Sequence, residues 1–315
     1  MELFKPELSI FDPPTIQRSV EKSILIDVYP NSTNYNTGAI EFELVATDDY
    51  IDLNDTVLNT VASVTQADGS ALKTTQADHD VAFVNAPLYS MFQDVIVHFN
   101  DKRVYGGDQL YGYKSMLGLL FSYSDAVLKQ QVVSSGFMKD IAGQMDAAGA
   151  TGNSAHVSRF GWNSSKLYIG KLLVDIFQQN RYLMNGVTIK IKLQKAPNEF
   201  ALQCHTATLK PKFVINSAVL SVRKVRLGDT VMMQHTHALA RVGRNAMYPY
   251  QHKVVCPYNI TKGSQFFVQE KLFNGHLPKL VILAMVSSEA YVGAYTKNPF
   301  NFQHRHKLRW IKERW

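Results

Sequence analysis

Cysteine is nearly absent from this chain. Cys204 and Cys256 are the only two in 315 residues, far apart and in neither a CxxC nor a zinc spacing. A disulfide framework is excluded, and two small buried hydrophobes in a reducing compartment are expected. Long apolar runs are missing as well: none approaches the ~18 residues that a membrane-spanning helix requires. The first residues, MELFKPELSIFDPPTIQRSV, place Glu2, Lys5 and Glu7 among the apolar side chains, which a signal-peptide core does not tolerate. An intracellular protein is expected, and the sequons at Asn31, Asn54, Asn163 and Asn259 are then incidental.

Surplus charge is scarce outside one end. Charged residues make up 19% of the chain, too few for a disordered or coiled-coil protein. The net charge is +7, but five of the 33 basic residues and one of the 26 acidic ones fall from His304 onward, leaving +3 for residues 1–303. A body this close to neutral is not an electrostatic nucleic-acid surface. The basic end, QHRHKLRWIKERW, interleaves Arg305, Lys307, Arg309, Lys312 and Arg314 with Trp310 and Trp315. At most it would give weak nucleic-acid contact through those five side chains.

Catalytic motifs are missing too. The sequence has no HExxH, no GxSxG, no phosphate-binding GK[ST] loop and no GxGxxG after a strand. Three weaker constellations remain. His235 and His237 would face the same way on a strand, but on the helix expected over 229–241, with Asp229 as N-cap, they stand about 200° apart. Asp78, His79 and Asp80 form an acid–base trio within a solvated loop. Asp48, Asp49, Asp52 and Asp55 are rich in oxygen ligands but lack the spacing of a calcium loop. No catalytic, cofactor or metal residue is assigned, and no enzymatic activity is expected.

What the sequence does have is period-two alternation. In GAIEFELVA (38–46), Ile40, Phe42 and Leu44 point one way and Glu41 and Glu43 the other. SILIDVYP (23–30) repeats the pattern with Ile24, Ile26 and Val28, as does QDVIVHFNDKRV (93–104) with Val95, Val97 and Phe99 up to an Asn100-Asp101 turn. NGVTIKIKLQK (185–195) sets Ile189, Ile191 and Leu193 against Lys190, Lys192 and Gln194 after an Asn-Gly turn. Each reads as an antiparallel strand with one buried and one wet face. KFVINSAVLSVRKVRL (212–227) is a long strand or a strand pair, and LVILAMV (280–286) reads as a strand buried on both faces. Helical spacing is confined to 108–123 and, more weakly, 229–241. The small-residue stretch 141–156 reads as a surface loop. Together these features give an all-β sandwich or jelly roll.

Eight stretches, in order over residues 13–302, resemble the major capsid proteins of Polinton (Maverick) elements and adintoviruses. They are PPTIQRSVEKS (13–23), IEFELVATDDYIDLNDTVL (40–58), VTQADGSAL (64–72) and VAFVNAPLYSMFQDVIVHFNDKRV (81–104), followed by GFMKDIAGQMD (136–146), LLVDIFQQNRYLMNGVTIKIKL (172–193), SVRKVRL (221–227) and LFNGHLPKLVILAMVSSEAYVGAYTKNPFNF (272–302). The resemblance implies a double jelly-roll: two eight-stranded antiparallel sandwiches side by side in a capsid shell. It also implies homotrimers that tile as pseudo-hexagons, a penton-type minor capsid protein as vertex partner, a virion location and no membrane. The matching division is an N-terminal arm at 1–21, a first roll at 22–208, a partial second roll at 209–303 and a divergent basic tail at 304–315. About 105 residues follow residue 210 against about 190 for the first roll, so an incomplete second roll is expected, as in a truncated or frameshifted copy. The alternative is a β-sandwich binding module kept by a host for a purpose other than assembly.

Overall fold

The computed structural model describes residues 19–302, apart from 33, 73–80, 142, 148–164, 207–208, 265, 270–271 and 273–277. Ten strands fall in chain order: β1 (Val20–Val28), β2 (Ile40–Leu44), β3 (Tyr50–Thr65), β4 (Ala82–Phe83), β5 (Phe92–Phe99), β6 (Lys102–Tyr105), β7 (Lys166–Lys171), β8 (Ile189–Lys195), β9 (Leu202–Gln203) and β10 (Lys212–Leu227). The short β4 and β9 pair with each other. The other eight form two four-stranded sheets of order β1-β10-β3-β7 and β2-β8-β5-β6, every pairing antiparallel.

That order identifies the topology. With the eight main strands counted one to eight, one sheet reads 1-8-3-6 and the other 2-7-4-5, so successive strands cross between sheets and the last returns beside the first. This is the jelly roll, two Greek keys wrapped into a sandwich. The expected all-β antiparallel class is observed. The position of β10 shifts the expected division, however. The resemblance puts Lys212–Leu227 in a second roll, but it is one unbroken strand that fills the centre of the first sheet, between β1 and β3. The first roll therefore extends to Leu227. Beyond it the described residues contain two helices, Asp229–Ala240 and Ser288–Val292, and no strand.

Alternation explains the pairing. Ile40, Phe42 and Leu44 of β2 lie opposite Leu193, Ile191 and Ile189 of β8, and all six are buried. Val95 and Val97 of β5 continue the row against Leu193 and Ile191. On the wet side of the same strands Glu41 meets Lys192 at 2.6 Å, and Lys190 meets Glu43 at 3.7 Å and Asp101 at 2.7 Å. Asn100 and Asp101 hold φ of 45° and 65° at the β5–β6 turn, the left-handed pair that a two-residue hairpin requires. β1 is a weaker case. Ile26 and Val28 pack against the core, whereas Ile24 is 36% exposed and Leu25 is 60% exposed, because an edge strand has a neighbour on one side only.

LVILAMV (280–286) does not form the doubly buried strand expected of it. It has no strand partner among the described residues, and Leu280 is 72% exposed. The cause is general to its surroundings: no described residue of 228–289 is buried. Without a core to enter, an apolar run gains nothing by pleating. Cys256 shares this fate and is exposed, against expectation, while Cys204 is buried as expected. The helix expected to be capped by Asp229 starts one residue early, with Gly228 as N-cap and Asp229 as its first residue.

Candidate assembly surface

The residues that sequence reading singled out for chemistry are not gathered into a reaction centre. His235 and His237 lie on the Asp229–Ala240 helix, where two-residue spacing separates their side chains. His235 Nδ1 bonds instead to the hydroxyl of the buried Tyr50 at 2.8 Å, which fixes the helix over the end of the first sheet. Three of the aspartates of TDDYIDLNDT, Asp49, Asp52 and Asp55, are taken up by cations of the chain itself and by a turn. Asp49 pairs with Arg226 at 3.0 Å, and Asp55 with Arg223 at 2.9 Å and Lys171 at 3.3 Å. Asp52 Oδ1 accepts the Asn54 N–H at 3.1 Å, within a bulge of β3 where Val57 and Asp52 flank a break in register. No cluster of three metal-ligating side chains occurs among the described residues. Asp78, His79 and Asp80, the tail residues Arg305, Lys307, Arg309, Lys312 and Arg314, and most of the loop at 141–156 lie outside the described residues. No helix among the described residues is long and apolar enough to cross a membrane.

The roll's interior is packed. An apolar void of about 10 Å³ between the sheets, lined by Phe42, Leu53, Phe177 and Ile191 among others, is no larger than one water-sized sphere. The two outer faces of the roll differ. The β2-β8-β5-β6 face neutralises itself through the Glu41–Lys192 and Glu43–Lys190 ion pairs. The β1-β10-β3-β7 face carries a polar ladder, Asn59 Nδ2 to Ser221 Oγ at 3.0 Å and Ser221 Oγ to Asp27 Oδ1 at 2.6 Å. Beside the ladder it leaves Leu167 (55%), Ile169 (37%) and Leu25 (60%) open to solvent.

A second exposed region is tied to this roll at both ends. Residues 247–253 strap across 175–184: Arg181 donates to the Met247 carbonyl at 2.6 Å, and the Met184 N–H donates to the Tyr248 hydroxyl at 3.0 Å. Buried Asp175 accepts the Lys253 N–H at 2.9 Å and stands 3.3 Å from His252 Nδ1. At the other end, NPFNF (298–302) forms a clasp that sequence reading left without a role. Asp146 accepts the Asn298 N–H at 2.7 Å and the Asn301 side-chain amide at 2.8 Å. Phe300, 2% exposed, meets Tyr113 and Phe200 edge-on, each at 5.9 Å between ring centres. Tyr295 adds its carbonyl, which accepts the Cys204 N–H at 2.8 Å. A signal was present in the sequence: two asparagines around aromatic residues suit a turn that caps itself while burying a ring. Between strap and clasp run Phe266, Val268, Leu280 and Leu283, all exposed.

The strand order defines a jelly-roll protein whose exposed apolar surface, rather than a cavity, is the feature open to a partner. No family model matches the chain. An uncharacterized protein of Caenorhabditis elegans is 22% identical over 259 residues, covering 81% of this chain and 60% of that protein. The chain thus spans about 60% of the length of that relative. Among solved structures, a chain of the Sputnik virophage cryo-EM structure has a TM-score of 0.47 at 12% identity, covering 73% of this chain and 53% of its own. The Faustovirus major capsid protein follows at 0.43 and 11%, covering 74% and 58%, and the mavirus major capsid protein at 0.41 and 10%, covering 73% and 52%.

Proposed function

We propose that the chain is a structural, capsid-type subunit that acts by associating with copies of itself and catalyses nothing. The observation that carries this reading is the coincidence of topology with sequence. The jelly-roll strand order came from pairing alone, and the stretches resembling Polinton and adintovirus capsid proteins fall on its framework: 40–58 on β2 and β3, 81–104 on β4 to β6, 172–193 on the turn into β8, and 298–302 on the clasp. The outside of the molecule supports it too, since exposed apolar side chains concentrated in one region favour association over solitude.

In this reading the assembled unit is a homotrimer that tiles as a pseudo-hexagon in a virion shell, with a penton-type protein at the vertices. The first roll occupies residues 20–227, since β1 begins at Val20. The region from Gly228 to residue 303 stands where the second roll belongs, flanked by an arm that precedes β1 and a basic tail at 304–315. Analytical ultracentrifugation of the purified chain tests it. A trimer, or larger particles visible by negative-stain electron microscopy, is expected at micromolar concentration. A monomer at every accessible concentration would overturn it, and a glycan bound by such a monomer would favour the host binding module.

A further inference from the structure

LVILAMV at 280–286 is seven consecutive apolar residues with no strand partner among the described residues. Its flanks are fixed on its own roll. Upstream, Lys253 is bound to Asp175; downstream, Tyr295 is bound to Cys204 and Asn298 to Asp146. The segment is thus presented between two anchorages and does not pair with any strand of its own sheets.

The two four-stranded sheets leave four edge strands among the described residues, β1 and β7 on one and β2 and β6 on the other, while β4 and β9 are only two residues long. Length and charge separate them. β2 has five residues, β6 four and β7 six, whereas β1 has nine and pairs with β10 alone. A seven-residue strand needs an edge of at least its own length to satisfy its backbone groups. β1 also lacks the usual protection of an edge at its centre. Charges sit toward its ends, at Glu21, Lys22 and Asp27, but Ser23–Ile26 is uncharged, with Ile24 and Leu25 exposed. The segment in turn has no charged residue from Leu280 to Ser288. Apolar strand and apolar edge therefore suit one another, and nothing in the segment attracts a polyanion.

We infer that residues 280–286 of one copy add as an outermost strand to β1 of a second copy, extending the β1-β10-β3-β7 sheet to five strands across the interface. This is strand addition with main-chain bonds for affinity and Ile24 and Leu25 for side-chain contact. Donor and acceptor are different surfaces, so the contact is head-to-tail, and copies joined this way close into a ring or run on as a filament. The inference rests on the self-association reading and names the surface that performs it.

The test uses the full chain with its exposed thiol removed by Cys256→Ser. Leu25→Cys and Leu283→Cys are introduced into separate proteins, which are mixed under mild oxidation and digested for mass spectrometry. Linkage of position 25 to position 283 is expected in the mixture, with neither protein cross-linking alone. Leu283→Pro, which removes a strand donor at a side chain 58% exposed, is expected to raise the concentration needed for assembly at least tenfold with an unchanged far-ultraviolet spectrum. Assembly without a 25–283 link would overturn the surface and leave self-association standing. Linkage of 283 to 283 alone would overturn β1 as the acceptor. A wild-type chain that stays monomeric would overturn both.

Discussion

At the scale of single residues, Asp94 is a buried carboxylate that costs stability. It is 2% exposed; one carboxylate oxygen accepts the Gly107 N–H at 2.8 Å, and the other has no partner. Burial is the main cause that raises its pKa, with neighbouring Asp108 adding to the effect and the Gly107 bond opposing it. A carboxyl whose pKa is higher folded than unfolded binds its proton more tightly when folded. Its penalty is therefore absent in acid and fully present above the raised pKa. Asp94→Asn is expected to stabilise the chain by about 1 kcal/mol at neutral pH, since a buried unpaired polar group then carries no charge. Chemical denaturation across a pH series reads this as a flatter profile than wild type. Gly106 has the opposite sensitivity. Its φ is +91°, and a Cβ there would lie 2.3 Å from the Val95 carbonyl oxygen. Gly106→Ala is expected to cost about 2 kcal/mol or more, seen as a lower denaturation midpoint.

At the scale of elements, β1, β2, β5, β8 and β10 were legible from alternation, whereas the long β3 and the short β7 were not. β2 and β8 could each be read with a wet face of Glu or Lys, but that these faces pair, Glu41 with Lys192 and Glu43 with Lys190, is set by a register alternation does not give. β10 was legible as a strand but not as a member of the first roll. Period-two alternation says which way side chains point and is silent on which sheet receives them. The same silence applies at 280–286, where apolar content implies burial but no described residue of 228–289 is buried. The candidate surface was less legible still. Asp146 and NPFNF are about 150 residues apart, and neither stretch alone announces a contact. The clasp yields its own prediction. Phe300→Ala removes a ring wedged against Tyr113 and Phe200, a loss of about 3 kcal/mol for a buried phenylalanine. Because the clasp can open without the roll unfolding, the effect is expected first in hydrogen exchange: the Cys204 amide should lose protection while the amides of β5 and β8 keep theirs.

At the scale of the whole molecule, the chain divides into a packed roll and an uncovered stretch. Every main strand lies within residues 20–227, and no described residue of 228–289 is buried. Limited proteolysis is expected to cut first between Arg241 and Ser287 and to leave the roll as a resistant core, with the cut sites read by mass spectrometry. Assembly should protect the 280–286 part of that stretch selectively, so a digest of assembled material would spare sites that a digest of dilute protein cleaves.

The place of β10 also sets an order in time. It is the last strand of the roll to leave the ribosome, yet it fills the gap between β1 and β3, pairing Val28 with Leu220 across nearly two hundred residues of chain. Until it emerges, the first sheet has no centre: β1 has no neighbour, and β3 has only β7. Such distant pairing makes closure slow and leaves a nascent chain with two open strand edges and half a core. Synthesis must run past Leu227 before the roll can close.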